Sequence, residues 1–100
     1  ERLAVGPLEI SLGRREVKVN GEPVSLTNKE FRLLHFLMSN PGLVFTRDQL
    51  LDSVWDTGYA GDTRTVDMHV RTLRVKLGDG AGLVKTVRGV GYKLSEEEAG

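Results

Sequence analysis

One stretch limits what this chain can fold into more than any other: Thr63 to Leu77, TRTVDMHVRTLRVKL. Val66, Val70, Leu73 and Leu77 recur at spacings of four, three and four, which draws one apolar stripe along a helix. Arg64, Thr65, Met68, Arg71, Thr72 and Val75 then fall on the opposite side, with His69 and Arg74 on its flanks. From Arg64 to Leu77 the bases are Arg64, Arg71, Arg74 and Lys76, against the single acid Asp67. A helix with a buried stripe and a basic, mixed outer face suits the major groove of duplex DNA. That groove is about 12 Å wide and admits one helix, and cations beside it neutralise phosphates. An ordinary amphipathic surface helix has the same pattern, so the rest of the chain has to decide between them.

The net charge of zero speaks against a nucleic-acid partner until its distribution is considered. Residues 1–63 hold seven bases and nine acids, residues 64–93 seven bases and two acids, and the tail adds Glu96, Glu97 and Glu98. The positive excess therefore lies in one third of the chain, and the local field matters more than the sum. One hundred residues make one domain with a modest core. The chain has no cysteine, hence no disulfide framework and no thiolate metal site, which suits a cytoplasmic location. His35 and His69 are its only histidines and do not have a metal-ligand spacing, so neither metal nor cofactor is expected. No apolar run approaches the ~18 residues of a membrane span, so no membrane partner is expected. The opening at Glu1, without methionine or signal pattern, suggests a fragment of a longer protein.

Residues 2–26 read as a four-stranded antiparallel sheet with strands at Leu3-Ala4-Val5, Leu8-Glu9-Ile10, Val17-Lys18-Val19 and Val24-Ser25-Leu26. Gly6-Pro7, Gly13-Arg14 and Asn20-Gly21 separate them, and Asn20-Gly21 suits a type I′ turn with positive φ at both positions. Arg14, Arg15 and Lys18 read as solvated charges. Thr27-Asn28-Lys29-Glu30 is a capping box opening a helix to about Ser39, with Phe31, Leu34, Leu37 and Met38 inward and His35 beside that face. Thr46-Arg47-Asp48-Gln49 is a second box, opening a helix that buries Leu50, Leu51 and Val54, with Trp55 expected in the core. After the loop Asp56 to Gly61, Asp62 or Thr63 caps the basic helix. Two helices joined this way, the second one basic, form a variant helix-turn-helix. Gly78 to Gly82 reads as a flexible link. Leu83 to Val87 and Tyr92 to Leu94 then flank Arg88-Gly89-Val90-Gly91, a hairpin whose arginine suits a narrow minor groove. The domain is expected over 1–95, with 96–100 a disordered acidic tail. Asp67, an acid beside a phosphate-facing surface, is expected to pair with Arg71 or Arg64 along its own helix.

These motifs together carry a family resemblance. Arg64 to Leu77, followed by Thr86-Val87-Arg88-Gly89-Val90-Gly91-Tyr92-Lys93-Leu94, resembles the OmpR/PhoB family, the C-terminal winged-helix output domain of bacterial response regulators. Leu26 to Leu34, Thr46 to Leu51 and Val54-Trp55 look like the family's first two helices. The resemblance implies an α+β winged helix-turn-helix: an N-terminal four-stranded antiparallel sheet, three helices and a C-terminal β-hairpin wing. It implies sequence-specific binding of double-stranded DNA in transcription regulation, with the 63–77 helix in the major groove and the 83–94 wing in the minor groove. By this likeness Arg64, His69, Arg71 and Arg74 meet phosphates, Thr65, Met68 and Thr72 face base edges, Arg88 enters the minor groove, and Thr86 and Tyr92 touch backbone near it. RNA polymerase would be met by the loop after the second helix, with Tyr59 the candidate. A full-length protein would dimerise on tandem half-sites. Thr72 departs from members that have arginine there, and Asp56 from members that have glycine. A winged-helix protein-interaction module is the alternative. An enzyme is not expected, because no nucleophile–base pair, metal set or phosphate-cradling loop appears.

Overall fold

The computed structural model describes residues 2–55 and 61–96. Four short strands, β1 (Arg2–Val5), β2 (Leu8–Ser11), β3 (Glu16–Val19) and β4 (Glu22–Val24), form an antiparallel meander in that order. Asn20 and Gly21 have φ of 52° and 82°, the positive pair a type I′ turn requires. That two-residue turn sets Val19 opposite Glu22 and Val17 opposite Val24, so the fourth strand ends at Val24 instead of running from Val24 to Leu26. Residues 25–27 lead into the next helix instead. Between β2 and β3 the positive φ falls on Arg15, at 52°. Its side chain is not merely solvated, since the guanidinium bonds Asn28 and lies 5.0 Å over the Phe31 ring.

Helix α1 (Asn28–Ser39) starts at the Thr27 capping box: Glu30 N donates to Thr27 Oγ1 at 3.3 Å, and Thr27 N to Glu30 Oε1 at 2.8 Å. Helix α2 (Arg47–Val54) starts the same way, with Gln49 N on Thr46 Oγ1 at 3.1 Å and Thr46 N on Gln49 Oε1 at 2.8 Å. Each box satisfies two otherwise orphaned amides and so fixes where its helix starts. Helix α1 is the centre of the fold and packs on both other helices. Leu33 and Leu34 are therefore both fully buried, beside the expected Phe31, Leu37 and Met38. Leu8, Ile10, Val17 and Val19 close the core from the sheet, and Trp55 is buried with it.

Helix α3 (Arg64–Leu77) buries Val66, Val70, Leu73 and Leu77, the stripe read from the spacing. Residues 78–83 are not a flexible link but a 3-10 turn. Gly80 is buried there, and a Cβ on it would lie 2.5 Å from Leu8 Cδ2, so the glycine lets the turn sit directly on the first sheet. Strands β6 (Val84–Val87) and β7 (Gly91–Leu94) form the hairpin. A two-residue strand ahead of α2, β5 (Phe45–Thr46), pairs with β7 and makes the wing part of a three-stranded sheet ordered β5-β7-β6.

Candidate nucleic-acid interface

Helix α3 begins with Asp62, whose Oδ1 accepts the Arg64 amide at 2.8 Å, while Thr63 makes no side-chain cap bond. The same carboxylate holds the Arg64 guanidinium, with Oδ2 2.7 Å from Nη2. Arg64 thus starts the exposed face already oriented. Met68, Arg71, Thr72 and Val75 follow on that face, all exposed, with Thr65 half-buried at its edge. Met68 is 56% and Val75 77% exposed, so this face offers apolar surface beside its cations. Among the described residues Arg71 makes no ion pair, so its charge is available to a phosphate. His69 turns sideways: its Nδ1 donates to Thr65 O at 2.7 Å, and its ring meets Trp55 edge-on at 5.1 Å.

Asp67 does not pair along its own helix. It accepts Arg47 Nε at 2.6 Å from α2 and the Tyr92 hydroxyl from β7. Arg71 is left outward and Arg64 has Asp62, so long-range geometry overrides the helical i,i+4 rule. Burial opposes ionisation of Asp67, but the Tyr92 hydroxyl and the Arg47 guanidinium outweigh it and hold the carboxyl below its ordinary value. Burial, then the Asp67 hydrogen bond, push the Tyr92 phenol up, so Tyr92 stays a neutral donor. Its ring lies under two guanidiniums, Arg47 at 5.2 Å and Arg74 at 5.7 Å. Arg74 in turn donates Nε and Nη2 to Val84 O, at 3.0 and 2.7 Å, and Nη2 to Thr86 Oγ1 at 2.8 Å. Helix α3 and the wing are therefore joined by a chain of polar contacts running Arg47, Asp67, Tyr92, Arg74, Val84. At the far end of the hairpin Arg88 is exposed, with Gly89 at φ 76° forming the turn.

A second polar cluster ties α3 to α1. Glu30, only 2% exposed, accepts Lys76 Nζ at 2.7 Å and the Thr72 hydroxyl as well as the Thr27 amide. Burial works against its charge, yet Lys76, Thr72 and Thr27 together bring the carboxyl from its ordinary 4.5 down to about 2. The folded-state value lies below the unfolded one, so the stabilisation is present above pH 4.5 and disappears as pH falls through 2. At about 1.4 kcal/mol per unit this is on the order of 3 kcal/mol at neutral pH. Urea midpoints followed from pH 7 to pH 2 should fall mainly below pH 4.5, and Glu30→Gln should flatten that fall.

The structure thus places Arg64, Met68, Arg71 and Thr72 on the exposed face of α3, with Thr65 at its edge, His69 turned against Trp55 on one flank and Arg74 reaching into β6 on the other. Thr86, Arg88 and Tyr92 lie on the adjoining wing. Tyr59 lies outside the described residues. Arg47 and Glu30 are functional residues that spacing does not reveal: each reads as part of a capping sequence, and their partners lie 20 and more than 40 residues away. No local signal announces such pairs.

A sheet-flanked helix-turn-helix with a basic exposed third helix and a hairpin fixed against it defines a winged-helix regulatory domain. The family described as "Transcriptional regulatory protein, C terminal" matches residues 21–94. The chain belongs to that family, the C-terminal winged-helix domains of OmpR/PhoB-type response regulators. It is 53% identical over 95 residues to the sensory transduction protein RegX3 of Mycolicibacterium smegmatis, covering 92% of this chain and 42% of that protein. The DNA-binding domain of RstA from Klebsiella pneumoniae, solved in complex with the RstA box, superposes with a TM-score of 0.85 at 34% identity, covering 97% of this chain and 99% of that one. The DNA-binding domain of the response regulator AdeR, solved in complex with an intercistronic region, gives 0.83 at 31% identity, covering 94% and 99%. The chain spans about two-fifths of the length of the curated relatives it matches.

Proposed function

We propose that this domain binds double-stranded DNA sequence-specifically and serves as the output domain of a two-component response regulator. The observation that carries the reading is the exposed face of α3, with Met68 and Arg71 bare, held by the Arg74 and Tyr92 contacts at a fixed angle to a wing that ends in Arg88. An exposed methionine on a basic face has a reason to exist if it meets a thymine methyl. Two similar DNA-binding domains solved in complex with an intercistronic region and with the RstA box support DNA as the partner. Helix α3 enters the major groove and the hairpin the adjacent minor groove. Arg64 and Arg71 neutralise phosphates and His69 meets the backbone beside them, Thr65, Met68 and Thr72 face base edges, Arg88 enters the minor groove, and Thr86 and Tyr92 lie against backbone nearby. Arg74 combines a phosphate-facing charge with its hold on the wing. In the full-length protein, working in the cytoplasm, a phosphorylated receiver would pair two such domains on tandem half-sites, with RNA polymerase met through the loop containing Tyr59.

The test is fluorescence anisotropy on a pool of short duplexes at ~50 and ~200 mM salt, where several phosphate contacts predict a fall of orders of magnitude in affinity. Affinity that is absent, or indifferent to salt, at both concentrations would favour the protein-interaction reading instead.

A further inference from the structure

Thr72 has an unusual environment for a residue that faces a groove. Its hydroxyl reaches the carboxylate of Glu30, 42 residues earlier, and also the His69 carbonyl at 3.2 Å. Both partners can only accept. A carbonyl has no proton, and Glu30 is held as the anion by Lys76 Nζ at 2.7 Å and the Thr27 amide at 2.8 Å. A hydroxyl carries one proton and two lone pairs. The proton of Thr72 is therefore committed inward, and what remains for an approaching base is a methyl group and acceptor lone pairs.

We propose that Glu30, a buried residue of α1 that does not touch DNA, acts as a positioning residue for base choice: it makes Thr72 unable to donate, so that the recognition helix rejects guanine at the base Thr72 meets. This rests on the reading that α3 enters the major groove. In that groove adenine and cytosine offer amino donors, and thymine offers a methyl beside its acceptor. Guanine offers only the acceptors N7 and O6. A side chain without a donor has something to give the first three and nothing to give guanine. An unmet acceptor edge, stripped of water against Thr72, makes guanine the disfavoured base.

The chemistry of Glu30→Gln follows from its neighbours. The Oε1 position faces two donors, Thr27 N and Lys76 Nζ, so the amide oxygen must stay there. The amide nitrogen then takes the Thr72 side and donates to Oγ1. Thr72 then keeps only the His69 carbonyl, at 3.2 Å, as an inward acceptor, and its proton can also be offered to an acceptor in the groove. The capping box survives, because it uses the retained oxygen.

The experiment measures relative affinity for all four base pairs at each position of a selected site. The position read by Thr72 is the one whose discrimination collapses in Thr72→Ala. There, the wild-type domain should disfavour guanine by about tenfold or more, as one mismatched base pair does. Glu30→Gln should shrink that ratio severalfold at this position and leave the other positions' ratios in place. In a Thr72→Val background the Glu30→Gln change should alter nothing at that position, because no hydroxyl is left to redirect. Two probes need only the unaltered domain: 7-deazaguanine, which lacks the N7 acceptor and so has less to leave unmet, should bind better than guanine there, and replacing a thymine at that position with deoxyuridine should weaken binding. The inference is overturned if no position collapses in Thr72→Ala, or if guanine is preferred at the one that does. It is equally overturned if Glu30→Gln lowers affinity uniformly across positions, if its effect persists without the hydroxyl, or if 7-deazaguanine binds no better than guanine. Failure to bind any duplex would instead remove the DNA-binding reading itself.

Discussion

Gly91→Ala is expected to be the most damaging small substitution in the domain. A Cβ at Gly91 would stand 1.9 Å from the Phe45 carbonyl oxygen and 2.9 Å from Thr46 Cα. Both are backbone atoms, so no side chain can rotate out of the way. Phe45 and Thr46 form β5, which pairs with Tyr92 and Gly91 of β7, and Thr46 is also the N-cap of α2. One added methyl must therefore break the strand pairing or displace the start of a helix. The cost should be about 3 kcal/mol or more, at the upper end of overpacking effects. For a domain of this size that corresponds to a melting temperature lowered by on the order of 15 °C. Gly82→Ala is the matched control, since a Cβ there meets nothing within 4 Å and no positive φ is involved, and it should stay within about 0.5 kcal/mol of wild type. Thermal denaturation of the two variants side by side decides the matter. Near-equal melting temperatures would mean that β5 is not held against the wing.

The same residue shows where sequence patterns stop being informative. Gly91 reads as one of two glycines in a hairpin turn, yet it begins a strand and its space is occupied by a segment 45 residues earlier. What was legible followed local rules. The two capping boxes fixed α1 and α2, the positive-φ pair Asn20-Gly21 fixed the β3–β4 turn, and the 4-3-4 spacing separated the buried stripe of α3 from its basic face. What was not legible depended on contacts across the fold. Asp67 had suitable arginines three and four residues away, and it chose Arg47 and Tyr92 instead. Gly78 to Gly82 has the composition of a linker, but Gly80 is used to reach Leu8. Glu30 fulfilled its predicted capping role and carried a second one, toward α3, that no helical period encodes.

Arg74→Ala should uncouple the wing from the recognition helix, with a larger effect on binding than removal of one phosphate contact. The guanidinium makes three hydrogen bonds into β6 and covers the Tyr92 ring. Hydrogen bonds to charged groups contribute about 1.5–3 kcal/mol, so the variant should lose about 2 kcal/mol of stability, and the hairpin should lose its fixed angle to α3. A double-mutant cycle with Arg88→Ala separates this from simple charge neutralisation. Were Arg74 only a phosphate contact, the two losses would add, the salt slope would fall by about one unit, and Arg74→Lys would restore most of the affinity. As a clamp it behaves differently. Once Arg74 is gone the wing no longer aims Arg88 at the groove, so Arg88→Ala has little left to remove. The coupling should then be about 1 kcal/mol or more, beyond the few tenths seen for independent sites. Lysine should fail to rescue, because a single ammonium cannot span Val84 O and Thr86 Oγ1 while stacking on Tyr92 as the planar fork does. On duplexes with an A/T-rich flank, where a minor-groove arginine matters most, Arg88→Ala alone should cost severalfold in affinity, and in the Arg74→Ala background that cost should nearly vanish. Additive losses on those duplexes would place the wing's aim in β5 and β7 rather than in Arg74.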